Sequence, residues 1–355
     1  MSQDLLKTDR PEPPVAGAAP AAAAPPPWIR TQLGNWLEQA GMLAILAVLV
    51  IVCSLTVNDF FTLRNLDSLL LAVSTVGMIS CTMLFCLASG NFDLSVGTIV
   101  PCAGVVAAVM INKSDSILIG ILAGLGFGAL VGLVNGVVVA KCRINPLITT
   151  LATYQIVKGL AFIFSGGKSV GITREAFFTL GNAAWPVVRD AHHRLMFQLT
   201  TPVWICIGCF LSFGFLLQRT TFGRNTLAIG GNEEAARLAG IGVARIKVLI
   251  FVMQGIVAAL AGIVLASRMT SGQPKSSDGL ELQVISACVL GGVSLTGGIG
   301  RMSYVIAGVF IMGVVQNAMN LKNVDPFYQY VVRGTILLMA VLFDRVKQMR
   351  SGTAI

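Results

Sequence analysis

The sequence predicts an all-α, polytopic membrane helix bundle of about ten transmembrane helices, and three observations carry that reading. Hydrophobic residues make up 55% of the 355-residue chain and charged residues only 12%, about half the charged share of a soluble domain. Mean hydropathy is +0.80. Apolar runs recur along the chain at lengths near the roughly 20 residues that a helix needs to cross a hydrocarbon core. These runs and their connections use up residues 34–347, which leaves no room for a separate soluble catalytic domain.

Residues 1–33 read as a disordered cytoplasmic tail. The stretch is polar, then Ala- and Pro-rich, ending in Pro25-Pro26-Pro27, and it lacks the apolar centre of a signal peptide. The expected spans are 41–57, 66–88, 94–111, 117–140, 146–164, 203–217, 248–266, 282–295, 304–319 and 328–343. Several fall short of about 20 residues, so tilted, broken or re-entrant segments are expected. Residues 348–355 read as a second cytoplasmic tail. With the N-terminus inside, cytoplasmic segments hold 14 of the 25 Lys and Arg residues, concentrated in 219–247 and at the C-terminus. That bias places both termini inside, which an even number of spans satisfies, and fits a bacterial inner membrane. Two loops are long: 165–202 outside and 219–247 inside.

The net charge of +9 does not point to nucleic acid. The basic residues sit in gaps between apolar runs and do not line one helix face with interleaved aromatics. The cysteines lie almost all within apolar runs and offer no disulfide or zinc spacing. Cys206 and Cys209 fall inside the sixth span and read as two small buried residues. His192 and His193 are adjacent, so their side chains diverge, and no metal site is expected. No clustered His/Asp/Glu or Ser/Lys set lies inside the spans, which excludes most membrane-embedded enzymes.

The clearest packing signal is in the fourth span, where Gly120, Gly124, Gly128, Gly132 and Gly136 form an unbroken ladder. Glycine lets helix backbones approach closely where lipid supplies no hydrophobic drive. A step of four residues turns a helix about 40° beyond one full turn, so the ladder is expected to serve more than one neighbour.

The segment 230–242 predicts a short helix in the basic loop. Asn232 can cap it, Glu233 and Glu234 suit its positive dipole end, Ala235, Ala236 and Arg237 continue it, and Gly240 can close it. Such a helix is too short to stand alone in water. It needs a partner surface, or it rests on its own bundle.

Glu234-Ala235-Ala236 followed by Gly240 resembles the EAA loop of ATP-binding-cassette importer permeases. Three further runs are similar to signatures of the ribose/arabinose/xylose-type sugar permeases: Gly90-Asn91-Phe92-Asp93-Leu94-Ser95-Val96-Gly97, Asn145-Pro146-Leu147-Ile148-Thr149-Thr150-Leu151-Ala152-Thr153, and Gly291-Gly292-Val293-Ser294-Leu295-Thr296-Gly297-Gly298. The resemblance covers about residues 34–347. It excludes the N-terminal tail, and 186–199 is longer and more polar than the family pattern. It implies a ten-span fold like that of the cobalamin importer and a pentose cargo; the likeness of the runs 221–240, 266–274 and 330–334 puts L-arabinose first, with ribose, xylose or galactose as alternatives. It also implies three partners: a second copy of the chain, a periplasmic sugar-binding protein and a cytoplasmic ATPase docked on residues 232–240. ATP and Mg²⁺ belong to that ATPase. The chain itself has no phosphate loop, because Phe162 stands where the first glycine upstream of Gly167-Lys168-Ser169 is required.

Asp93 lies between two apolar runs, flanked by Asn91 and Ser95. An acid at membrane depth suggests function. It either lines the cargo pathway or caps a helix starting at Leu94, and the two roles are compatible. Thr149, Thr150 and Thr153 either line a path for a neutral polyol or bond back to their own helix. Asp278 and Glu281 read as a solvated rim. Lys168, Arg174, Arg189 and Arg194 either steer a partner by charge or form a solvated loop face. An ion-coupled transporter would need intramembrane ionisable residues, and Asp93 is almost the only candidate.

Overall fold

The computed structural model describes residues 27–189 and 195–350. Most of the N-terminal tail, His192, His193 and Arg194, and the last five residues lie outside the described residues. Helix α1 (Pro27–Thr56) begins inside the stretch expected to be tail. The chain divides at Gly41 into two units, and the second, from Met42 onward, is the bundle.

The bundle contains α2 (Leu63–Ala88), α3 (Val96–Ser114), α4 (Ile117–Ala140), α5 (Pro146–Ser165), α6 (Thr179–Asn182) and α7 (Thr201–Arg219). Then follow α8 (Thr221–Gly231), α9 (Glu233–Leu238), α10 (Val243–Arg268), α11 (Leu280–Leu290), α12 (Met302–Leu321) and α13 (Pro326–Arg350). Two antiparallel strand pairs decorate it: β1 (Val170–Gly171) with β4 (Ser271–Gly272), and β2 (Ala184–Arg189) with β3 (Leu195–Thr200).

Among the described residues, seven helices are long and apolar enough to cross a membrane: α2, α3, α4, α5, α7, α10 and α12. The other three expected spans correspond to shorter apolar stretches, Gly41–Thr56, Leu280–Leu290 and Pro326–Leu342. The eighth span is cut short at Leu290 because Gly292 takes φ +80°, a left-handed conformation that glycine adopts without steric cost. The long loops are more ordered than the sequence suggests. Residues 219–247 contain two helices, α8 and α9, and 165–202 contains β1, a 3₁₀ turn (Glu175–Phe178), α6 and the β2–β3 hairpin.

Local sequence explains the helix ends. The Thr62 hydroxyl accepts from the Asn65 amide, opening α2. Asn145 accepts from the amides of Leu147 and Ile148, with Pro146 at the first helical position of α5. Gly166, at φ +61°, closes α5.

Among the membrane-length helices α2, α3, α10 and α12 are mostly buried, whereas α4, α5 and α7 turn long apolar faces outward, with Leu118, Leu122, Ile156, Ile163 and Leu211 exposed. In a bilayer those faces meet acyl chains. The α4 ladder turns as it climbs. A Cβ on Gly120 would meet Ile111 and the Ala107 carbonyl of α3, and one on Gly124 would meet Ala103 of α3 and Ile263 of α10. Gly128, Gly132 and Gly136 face α10 alone, against Gly255, Phe251 and Val248. The eight cysteines are free thiols, and all but Cys142 are buried.

Candidate functional site

Helix α9 is built from its ends. Asn232 is extended at φ −159°, and its Oδ1 accepts from the Ala235 amide at 2.9 Å. At the other end, the amides of Gly240 and Ile241 donate to the carbonyls of Arg237 and Ala236 at 3.0 and 3.1 Å. Gly240 takes φ +83°, where a side chain would be strained. Glu233 receives Lys247 Nζ at 2.7 Å, which ties α9 to the first turns of α10. Glu234 pairs with Arg237 at 2.6 Å. Ala236 is buried, so one face rests on the bundle, whereas Leu238 is 79% exposed. Exposed ion pairs contribute at most about 1 kcal/mol, so caps and seating hold this six-residue helix. Leu238 was not singled out from the sequence; its signal is an apolar side chain on the outer face of a polar helix.

The second element is the break between α2 and α3. Gly90 takes φ +73°. The Asn91 amide donates to the Cys86 carbonyl at 2.9 Å, and its Nδ2 donates to the Ser89 carbonyl and hydroxyl at 3.0 and 2.9 Å. Asp93 Oδ1 accepts from the Ser95 amide at 2.9 Å and from the Ser95 hydroxyl at 2.5 Å. The helix starts at Val96, not Leu94, so Asp93 stands ahead of the N-cap residue Ser95 and shapes the turn that leads into α3.

This turn continues into a buried polar chain. Asn135 Nδ2 on α4 donates to Ser95 Oγ at 2.9 Å, and Thr153 Oγ1 on α5 donates to Asn135 Oδ1 at 2.7 Å. Asp93, Ser95 and Asn135 are fully buried. The chain joins the break to α4 and α5 where no water competes, and there each bond also relieves a desolvated polar group. Asn135 was missed in the sequence because it sits inside the glycine ladder, and its partners are far away along the chain. Thr149 and Thr150 bond back to the carbonyls of Asn145 and Pro146 at 3.0 and 2.9 Å.

A cavity of about 390 Å³ opens beside both elements, lined among others by Asn91, Arg143, Asn145, Glu233, Arg237 and Lys247. Of the six residues expected to line a cargo path, Asn91 alone borders it; Asp93 and Ser95 are sealed behind it. Glu281 corrects the solvated-rim expectation. It is buried, and its carboxylate lies against Gly97 in the first turn of α3. Asp278 is exposed and pairs with Lys158 at 3.3 Å. Arg174 is paired with Asp115.

A family model described as "Branched-chain amino acid transport system / permease component" matches residues 65–341. The chain belongs to that permease family. The permease is 60% identical to the L-arabinose transport system permease protein AraH of Escherichia coli K12, over 90% of this chain and 94% of that one. It is 51% identical to the L-arabinose ABC transporter permease protein AraH of Azospirillum brasilense, over 93% and 94%. It is 37% identical to the ribose import permease protein RbsC of Bacillus subtilis, over 90% and 96%. No solved structure matches. The relatives are transport subunits, and so is this multi-pass membrane permease; it is not an enzyme.

Proposed function

We propose that this permease is the membrane-spanning subunit of an ATP-binding-cassette importer that carries L-arabinose across a bacterial inner membrane. The observation that carries the cargo is the 60% identity, across nearly the full length, to an L-arabinose permease. The geometry that supports the coupling role is α9, capped at both ends, seated through Ala236 and Lys247, and offering Glu234 and Leu238 outward.

In this reading two copies of the permease enclose the pathway. Each has ten membrane segments in an arrangement like that of the cobalamin importer, with both termini in the cytoplasm. The three shorter apolar stretches then act as tilted or re-entrant segments beside the seven long helices. A periplasmic binding protein delivers the sugar. A cytoplasmic ATPase holds ATP and Mg²⁺, and its closure pushes on Asn232–Gly240. The bundle then alternates between outward-open and inward-open states. Asn91 borders the cargo route, and Asp93, Ser95 and Thr153 hold its wall. Ribose is the second reading for the cargo, supported by the RbsC relatives; xylose and galactose stand behind it.

The test is radiolabelled sugar uptake in cells that lack arabinose transporters and express the permease with its cognate ATPase and binding protein. ATP-dependent L-arabinose uptake, competed poorly by ribose, xylose and galactose, is expected. Uptake of ribose in preference to arabinose overturns the cargo and keeps the class. Concentrative uptake by the permease alone overturns the importer-subunit reading.

A further inference from the structure

Three separate stretches of chain meet backbone to backbone beside the break: the end of α2, the end of α8 and the turn after α11. The Gly298 amide donates to the Ala88 carbonyl at 2.9 Å. A Cβ on Gly230 would fall on that same Ala88 carbonyl and on the Gly298 amide. Gly297 takes φ +92°, and a Cβ there would lie 2.8 Å from the Gly230 carbonyl oxygen and 2.9 Å from the Gly90 amide nitrogen. Gly298 takes φ +77°, and its Cβ would lie 2.9 Å from the Gly231 Cα. No side chain separates the three stretches at these contacts.

We propose that Gly230, Gly297 and the Ala88 carbonyl form a rigid joint that carries displacement of α9 directly to the break between α2 and α3. The inference rests on the importer reading above and adds the route of the stroke. Gly230 and Gly231 run straight into Asn232, the cap of α9. On the other side, Ala88 runs through Gly90 into Asn91, Asp93 and the buried chain to Asn135 and Thr153. Side chains absorb small shifts by changing rotamer. Backbone in van der Waals contact does not, so movement of one stretch must move the others. α9 therefore has two attachments with different properties. In the Lys247–Glu233 ion pair the Lys247 side chain is largely buried but the Glu233 carboxylate is exposed and can swing aside by changing rotamer, whereas the glycine joint does not yield. Gly230, Gly297 and Ala88 are positioning residues: they touch no cargo.

The test compares Gly230→Ala with Gly231→Ala, whose Cβ has nothing within 4 Å, in the assembled importer. Uptake is expressed per assembled complex and per ATP hydrolysed. The expected result for Gly230→Ala is a complex that still assembles and hydrolyses ATP, with sugar moved per ATP reduced at least tenfold and stimulation by loaded binding protein lost. Gly231→Ala should behave as wild type. A Gly230→Ala complex with a normal ratio of sugar to ATP overturns the joint. A wild-type complex with no ATP-dependent uptake overturns the importer reading instead. Should Gly230→Ala fail to fold, amide hydrogen exchange on the wild-type complex decides. Residues 87–93 and 296–300 are expected to change protection together with 229–240 on nucleotide binding. A change confined to 229–240 overturns the proposal.

Discussion

Replacing Gly132 with alanine tests the packing account most sharply, because α4 carries its own control. A Cβ on Gly132 would reach the Phe251 carbonyl of α10 and lie 2.9 Å from both the Phe251 carbonyl carbon and the Val252 Cα. Carbon atoms in contact sit roughly 3.5–4.0 Å apart, so α4 would have to withdraw by about 0.6–1.1 Å. Backbone cannot rotate aside as a side chain can. Overpacking of this kind costs about 1–3 kcal/mol. Gly126, on the same helix, has nothing within 4 Å of its Cβ position and faces open space. Alanine's better helix propensity, worth at most ~1 kcal/mol, is common to both sites, so the difference between the two variants isolates the clash. The assay is unfolding of purified permease in mixed micelles titrated with sodium dodecyl sulfate, followed by tryptophan fluorescence. Gly132→Ala should be less stable than Gly126→Ala by about 1–3 kcal/mol. Stabilities equal within about 0.5 kcal/mol, the scatter of neutral substitutions, would mean that α4 and α10 do not need glycine at position 132.

Other outcomes follow from the same geometry. Asn135→Leu removes two buried hydrogen bonds, but Ser95 keeps Asp93 and Thr153 keeps the Thr149 carbonyl. At the average of ~0.6 kcal/mol for interhelical bonds in membranes, the loss should be about 1 kcal/mol in the same titration, and a loss above roughly 3 kcal/mol would mean that a partner is left bare. Asn232→Ala removes the cap of α9 at a cost of about 1 kcal/mol. Amide exchange across 233–238 should quicken while the unfolding midpoint of the bundle holds; a shifted midpoint with unchanged exchange counts against the cap. Leu238→Glu replaces the exposed apolar side chain on the outer face of α9 with a charge. ATPase affinity, measured by co-purification titration, should fall by about tenfold, the equivalent of ~1.4 kcal/mol, and unchanged affinity would remove Leu238 from the interface.

What the sequence exposed was whatever depends on near neighbours. The cap at Asn232, the two glutamates after it and the left-handed Gly240 are all local, and the structure places them as one short helix. The ladder was visible because its spacing is periodic, and even its turn around α4 follows from helix geometry. Asn135 was hidden for the opposite reason: Ser95 and Thr153 lie 40 and 18 residues away, and a lone asparagine in an apolar run gives no local sign of its partner. Glu281 misled because an acid after a glycine-containing loop looks solvated, while its burial against Gly97 depends on how α11 meets α3. The start of α3 was displaced by two residues because Asp93 bonds the Ser95 amide and hydroxyl, making a turn of its own before the helix. Helix α8 was absent from the sequence reading. In that loop the sequence predicted only the short helix of 230–242, while the structure forms a second helix before it, where Gly223 and Gly230 are required by close backbone approaches to Leu217 and Ala88.

The docking role of α9 is tested most directly by site-specific photocross-linking in the assembled, ATP-hydrolysing importer. A photoreactive residue replaces Leu238, 79% exposed on α9, and in a parallel protein replaces Leu211, 71% exposed on the outward face of α7. A cross-link to the ATPase is expected from position 238 and none from position 211, which should label lipid alone. A complex that hydrolyses ATP yet gives no ATPase adduct at 238, or gives one at 211 instead, would contradict the docking role of α9.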